Sequence, residues 1–253
     1  MKLKGTKILV TGGSNGIGRA LVEGFIEEGA TVFFSYLNDA ASARAICQSK
    51  TPSGSSNTYA MACDLADHNQ AKQLVEQAIS TLGHIDVLVN NAAAFAREAF
   101  LDISQLALQR VIGVNVVNTL LISQQVAQHM VSCNRPGSLI HISSLSAVRA
   151  RSRMVHYQAS KAALNAMSEG IAFELGAYGI RSNVISPGLT ETHANRDQWK
   201  GRAELWRERS ADIPLGRAGL PRDYLGAAVL LASDDSRWIS GANIRVDGGM
   251  ATF

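Results

Sequence analysis

The feature that most constrains this chain is the alternation of short apolar runs with longer segments of helical composition. Residues 7–11 (KILVT), 31–36 (TVFFSY), 58–63 (TYAMAC), 86–90 (DVLVN), 138–143 (SLIHIS), 181–186 (RSNVIS) and 243–246 (NIRV) read as strands. Most are apolar throughout, as expected of strands covered on both faces in a parallel sheet. Helical segments separate them: a run after the first glycine cluster ending near Gly29, residues 40–49, 70–82, 106–131, a helix from His156, and 224–233. Leu74, Val75, Ala78, Ile79 and Leu82 recur at helical spacing, and Gly83 stops that helix. Such alternation implies an α/β, doubly wound, Rossmann-type fold, with a parallel sheet of about seven strands and helices on both faces. No linker or change of composition divides residues 1–253, so a single domain is expected. Residues 189–214 lack clear periodicity and are long for a connection, which suggests a lid or binding loop.

Composition removes several classes of function. With 46% hydrophobic and 18% charged residues the chain can bury a sizeable core. The net charge of +3 is scattered, which gives no footprint for nucleic acid. The start, MKLKGTKILVTGG, is too short in apolar residues for a secretion signal, and no stretch approaches the roughly 18 to 20 apolar residues of a membrane span. A cytoplasmic protein without membrane partners is the expectation. Cys47, Cys63 and Cys133 are far apart, in apolar contexts and odd in number, which suits buried, reduced thiols. The six histidines show no paired ligand spacing, so no metal site is expected.

Two stretches carry chemistry. The first strand runs straight into Gly12-Gly13-Ser14-Asn15-Gly16-Ile17-Gly18. A glycine-rich turn opening a helix brings backbone N–H groups and the positive helix end to a pyrophosphate. Gly12 would allow the tight turn, Gly16 close approach of the ligand, and Gly18 close helix–strand packing. The spacing departs from G-x-G-x-x-G, because Leu21 stands at the third position. By itself such a turn is equally a structural device. The second stretch, residues 143–161, ends in Tyr157-Gln158-Ala159-Ser160-Lys161 at the opening of a helix. Tyr157 and Lys161 are four apart and share a face, where an ammonium would pull the phenol pKa down from about 10 toward the range of a general acid or base. Taken alone, the pair also fits an ordinary solvated helix face.

Together these motifs resemble the short-chain dehydrogenase/reductase family. Thr11 to Gly18 resembles its TGxxxGxG turn, Asn90-Asn91-Ala92-Ala93 its NNAG, Asn115 its asparagine, and Ser144, Tyr157 and Lys161 its serine and YxxxK. Pro187-Gly188 with Thr192 resembles the nicotinamide-side motif, and Asp247-Gly248-Gly249 the usual ending. The matches are in order and span nearly the whole chain. Ala93 and Ala147 depart from glycines of the pattern, which matters only where φ is positive or packing is tight. The resemblance implies hydride exchange between a nicotinamide and a small-molecule carbonyl or alcohol. Tyr157 would be the general acid/base, Ser144 the donor to the substrate oxygen, Lys161 the group that tunes Tyr157 and holds the ribose, and Asn115 the anchor of a proton-relay water. A bond across a helix kink is the plainer alternative for Asn115.

Coenzyme contacts are implied for Gly12, Ser14, Asn15, Gly16, Ile17 and Gly18 at the turn, and for Tyr36 and Asn38 after the second strand. Asp64 and Leu65 would meet the adenine, although Asp64 could simply end a strand. Asn91, Ala92, Tyr157, Lys161, Pro187, Gly188, Thr190 and Thr192 complete the set. The position that would hold an NAD-selective acid is Tyr36, with Ser35, Leu37 and Asn38 around it, and Asp39 is placed to cap the next helix. NADP(H) is therefore favoured, with NAD(H) left open, although no arginine follows Tyr36 and Asn15 stands where many NADP-dependent members carry a basic residue. Residues 94–97, 145–156 and 189–214 should line the substrate pocket. Arg149, Arg151 and Arg153 could clamp an anion or belong to a solvated or interface segment, while His193, Arg196, Trp199 and Trp206 lie in the lid. A homotetramer paired through the long helices is the assembly that the resemblance implies. A non-catalytic nicotinamide sensor and a lyase or epimerase are the other readings; wider Tyr–Lys spacing in enoyl reductases argues against that branch.

Overall fold

In the computed structural model, which describes residues 1–49, 57–192 and 199–251, seven strands form one parallel sheet in the order β3-β2-β1-β4-β5-β6-β7. They are β1 (Lys7–Val10), β2 (Thr31–Tyr36), β3 (Thr58–Ala62), β4 (Val87–Asn90), β5 (Gly137–Ile142), β6 (Ile180–Pro187) and β7 (Asn243–Val246). The helices are α1 (Gly16–Glu27), α2 (Ala40–Gln48), α3 (His68–Leu82), α4 (Gln105–Ile112), α5 (Thr119–Ser132), α6 (Val155–Leu175), α7 (Ala203–Ala211) and α8 (Leu225–Ala232). A π-helical segment, Gly113–Asn118, joins α4 to α5.

The strands are apolar throughout because each feeds two cores. Ile8 and Val10 of β1, Phe34 of β2 and Val87 and Val89 of β4 join Leu21, Phe25 and Leu231 on one face. Their neighbours Leu9, Phe33 and Leu88 join Leu74, Ala78, Val126 and Met130 on the other. Adjacent strand residues point to opposite faces, so a sheet sandwiched between helix layers needs apolar residues at both parities. The topology reverses between β1 and β4, and the crevice beyond the carboxyl ends of the strands opens at that switch.

Local signals act largely as expected. Asp39 caps α2 by accepting from Ser42 N at 3.0 Å. Gly83, at φ 82°, ends α3. That helix begins two residues earlier than its apolar pattern, because Asp67 accepts from the N–H groups of Asn69 and Gln70. The 189–214 stretch contains α7; residues 193–198, with His193 and Arg196, lie outside the described residues.

Two expectations need correction. Of the cysteines only Cys63 is buried; Cys47 is half-buried and Cys133 is exposed, since it follows the last core residue of α5, Met130. The continuous run Gln105–Ser132 is, by length and mean hydropathy of 1.4, apolar enough to cross a membrane. Its apolar residues divide between the sheet, where Ile122, Val126 and Met130 are buried, and an exposed side bearing Leu106, Leu108, Val117 and Leu120.

Candidate active site

The crevice is a cavity of about 820 Å³, within the usual range for ligand sites, lined from the glycine turn at one end to Phe95, Arg97 and Trp199 at the other. Gly12 and Gly16 have φ of 70° and 54°, the left-handed region that a side chain resists. A Cβ on Gly18 would sit 2.1 Å from the Gly12 carbonyl oxygen, so that glycine is required for packing of α1 against the turn. A Cβ on Gly16 would meet nothing nearer than Thr192 at 3.8 Å, so this glycine keeps space open within the crevice. Asn15, the N-cap of α1, makes no side-chain cap bond, and the first turn carries no acid. An uncapped helix end with no carboxylate and no Cβ in the approach fits a pyrophosphate.

The turn is held from two sides. Asn91 Nδ2 donates to the carbonyls of Thr11 and Gly12 at 3.0 and 2.9 Å. Thr11 Oγ1 accepts from the N–H groups of Asn91 and Ala92 at 3.0 and 3.1 Å. From β2, Ser35 Oγ and its carbonyl accept from Gly12 N and Gly13 N. The Ser35 clamp has no sequence signature. Neither Ala93 nor Ala147 has positive φ, so both departures from glycine are sterically accommodated.

Ser144, Tyr157 and Lys161 converge on the cavity wall from the end of β5 and the first turns of α6. Ser144 Oγ accepts from Ser146 N at 3.1 Å, which fixes the oxygen and leaves its O–H to donate toward Tyr157. Tyr157 packs edge-on to Phe95, with ring centroids 4.9 Å apart. Lys161 Nζ lies 5.8 Å from the Tyr157 ring centroid and donates to the Ile142 carbonyl at 2.7 Å. Lys161 does not depress the phenol here. Burial pushes Tyr157 up to about 12, opposed by a side-chain hydrogen bond with Ser144. Burial also brings Lys161 down to about 8. The spacing placed the two groups on one face, but burial, and not a charge effect of one on the other, sets both shifts.

Asn115 lies behind the wall rather than in it, 2% exposed within the π-helical segment. Its Oδ1 accepts from Ala94 N at 2.8 Å, and its Nδ2 donates to Ala94 O at 3.0 Å and Ser160 Oγ at 2.9 Å. Ser160 Oγ in turn donates to the Tyr157 carbonyl at 2.7 Å. Asn115 thus links the loop after β4 to the helix bearing Tyr157 and Lys161; its side-chain bonds run to these two segments and not across its own helix.

Of the other residues singled out, Ser14, Ile17, Tyr36, Asp64, Leu65, Ala92, Pro187, Gly188, Thr190 and Thr192 line the cavity. Asn38 does not: it is exposed, beyond the end of β2. Arg149 turns away to the Met250 carbonyl and ties down the C-terminal segment. Arg110, which sequence reasoning passed over, lines the rim 3.7 Å from Asp64. Phe95 and Met154 also line it, within the segments that topology placed there.

The family model described as enoyl-(acyl carrier protein) reductase matches residues 12–251. An L-rhamnose 1-dehydrogenase (NAD(P)(+)) from a Sphingomonas species is 36% identical, over 98% of this chain and 97% of that one. A solved short-chain dehydrogenase/reductase from Serratia marcescens superposes with TM-score 0.90 at 32% identity, covering 99% of this chain and 100% of that one. A putative NAD(P)-dependent gluconate 5-dehydrogenase from Beutenbergia cavernae, solved with NADP at low occupancy, does so with TM-score 0.90 at 30% identity, over 100% and 99%. A glycine turn, a serine and a Tyr–Lys pair on one crevice, with relatives matched end to end, lead to one assignment: the chain belongs to the short-chain dehydrogenase/reductase family.

Proposed function

We propose that this single-domain chain is an NAD(P)(H)-dependent oxidoreductase that interconverts a ketone and a secondary alcohol, with Tyr157 as general acid and base. The observation that carries the reading is the convergence of Ser144, Tyr157 and Lys161 on the cavity that begins at the glycine turn. Gly12 to Gly18, Asn91, Ala92 and the 187–192 segment would hold the coenzyme, which when bound supplies or accepts the hydride. In the reducing direction Tyr157 gives its hydroxyl proton to the carbonyl oxygen, and Ser144 donates a hydrogen bond to that oxygen as charge builds on it. Lys161 supplies positive charge near the ring and contacts the ribose. Asn115 holds Ala94 and, through Ser160, the first turn of α6 in register.

NADP(H) is the favoured coenzyme. Tyr36 and Leu37 form the wall at the end of β2, and Asp39, the acid that follows them in the chain, is engaged in capping α2. The gluconate dehydrogenase relative with NADP bound agrees with this preference, and the rhamnose dehydrogenase relative carries NAD(P)(+) in its name. The substrate is a small molecule, sugars and sugar acids being the first to try; the protein acts in the cytoplasm, as a homotetramer. The test is to screen ketones, sugars and alcohols with NADPH and NADH by nicotinamide absorbance. Turnover with faster use of NADPH is expected; tight coenzyme binding without turnover across the panel would overturn the catalytic reading in favour of a sensor.

A further inference from the structure

Beyond Tyr157, Arg97 lines the outer end of the cavity, and four exposed arginines stand near enough to act on its charge. Arg97 follows β4 and lines the wall; burial, and then the charges of Arg209, Arg151, Arg153 and Arg202, hold its pKa below the usual arginine value. Arg151 and Arg153 belong to the connection between β5 and α6, whereas Arg202 and Arg209 flank and end α7. A contact ties the first two segments together, and the third borders the same cavity through Trp199. Glu98 N, next to Arg97, donates to the Arg153 carbonyl at 3.1 Å. The Arg209 guanidinium lies 5.5 Å from the ring centroid of Trp199, which lines the same cavity.

None of the five forms an ion pair with a carboxylate among the described residues. Four arginines elsewhere on the surface are matched, Arg19 with Glu23, Arg135 with Asp86, Arg217 with Asp223 and Arg222 with Glu27, whereas Arg44 and Arg245, which stand apart from one another, pair with no carboxylate among the described residues. Gathering like charges is unfavourable. Arg153 adds backbone strain, with φ of 65° in a residue that has a side chain. The cluster follows β4, β5 and β6, away from the β2 end where Tyr36 faces the coenzyme, so it is not placed to meet a 2′-phosphate. It is close to the reacting group: Arg97 lies 5.9 Å from the Phe95 ring centroid, and Phe95 lies 4.9 Å from that of Tyr157. An anion at Arg97 is therefore a short carbon chain away from a carbonyl held at Tyr157.

We propose that this arginine cluster binds an anionic group, a carboxylate or a phosphate monoester, carried by the substrate at the end remote from the reacting carbon–oxygen bond. Planar guanidinium forks suit both groups, and an incoming anion would relieve the repulsion among them. The proposal rests on the oxidoreductase reading for the identity of the substrate, but anion binding can be tested without turnover.

Two measurements separate the claims. First, the purified protein is titrated with succinate and with inorganic phosphate at fixed ionic strength, following tryptophan fluorescence, since Trp199 sits beside Arg209 and 5.0 Å from Trp206. A saturable response is expected, weakened about tenfold in R97Q and in R209Q. It should persist in R237Q, a charge control near the amino ends of the strands. Which anion binds tells carboxylate from phosphate. Second, kcat/KM is compared for laevulinate against its methyl ester, and for dihydroxyacetone phosphate against dihydroxyacetone. A preference of about tenfold or more for the charged member of one pair is expected, narrowing in R97Q. No saturable binding, binding indifferent to R97Q and R209Q, or equal kcat/KM within both pairs would overturn the proposal. Anion binding with no turnover of any ketone would instead count against the oxidoreductase reading and leave the anion site supported.

Discussion

Tyr157 and Lys161 show how a residue's neighbours, rather than its spacing, set its chemistry. Their four-residue separation was legible in sequence, and so was their common face. The environment was not, because desolvation depends on which distant segments pack around each head group. Lys161 is 3% exposed, and its amine titrates near about 8 rather than its usual 10.5. Between those values the unfolded chain binds more protons than the folded one, so this group makes the fold more stable as pH rises through that window. Tyr157 acts oppositely and later, since its pKa rises from 10.0 to about 12 and its stabilisation is lost only as pH climbs above 10. Urea unfolding of wild type and Lys161→Met at about pH 7 and about pH 9.5 should show a lysine-dependent gain of up to about 2 kcal/mol at the higher pH, absent in the variant. An identical pH dependence in both proteins would show that Lys161 is solvated. For Tyr157→Phe, coenzyme binding should survive while kcat falls by about 10²- to 10⁴-fold, because only the proton-transferring hydroxyl is removed. Near wild-type turnover on a confirmed substrate would remove Tyr157 from its proposed role.

At the scale of elements, residues 106–131 read as helical, with a kink at Asn115 only as an alternative, and the π-helical form of the interruption was not legible. Residues 111–121 contain no proline and keep an apolar pattern, so nothing local announces a π-helical segment at Gly113–Asn118. The structure supplies physical contacts there. Thr119 Oγ1 donates to the carbonyl of Val114, five residues back, at 3.0 Å, and Asn115 is held at the widened turn by Ala94 and Ser160. Such turns recur at functional sites because they re-aim one side chain without ending the helix. Strand boundaries were legible to within a residue or so because the two-sided burial of a parallel sheet leaves its mark on every position. Asn115→Ala should therefore leave the fold intact but unlatch the loop after β4 from α6. A loss of about 1–3 kcal/mol is expected from the buried partners left unpaired, together with faster hydrogen exchange at Ala94. A variant with unchanged stability and unchanged exchange at Ala94 would show that the latch carries no energy.

At the scale of the molecule, the remaining apolar surface has to be accounted for. Leu106 and Phe173 are 76% and 91% exposed, and Leu108, Val117, Leu120 and Val155 are exposed with them, on α4, the π segment, α5 and α6. α4 and the π segment both pack against α6, so these residues lie on elements that adjoin one another, and several large apolar side chains in one region usually mark an interface. The same residues explain why the run Gln105–Ser132 has the composition of a membrane span: one side serves the core and another is free to meet a partner. A second copy of the chain is the partner proposed, two such contacts closing a tetramer with point symmetry. Light scattering on the purified protein should then give a tetramer. Leu120→Glu and Phe173→Glu should each shift it to dimer or monomer while circular dichroism stays unchanged, because both side chains stand outside the core. A wild-type chain that runs as a monomer, or glutamates at both positions that leave the tetramer intact, would show that these helix faces are not what joins the subunits.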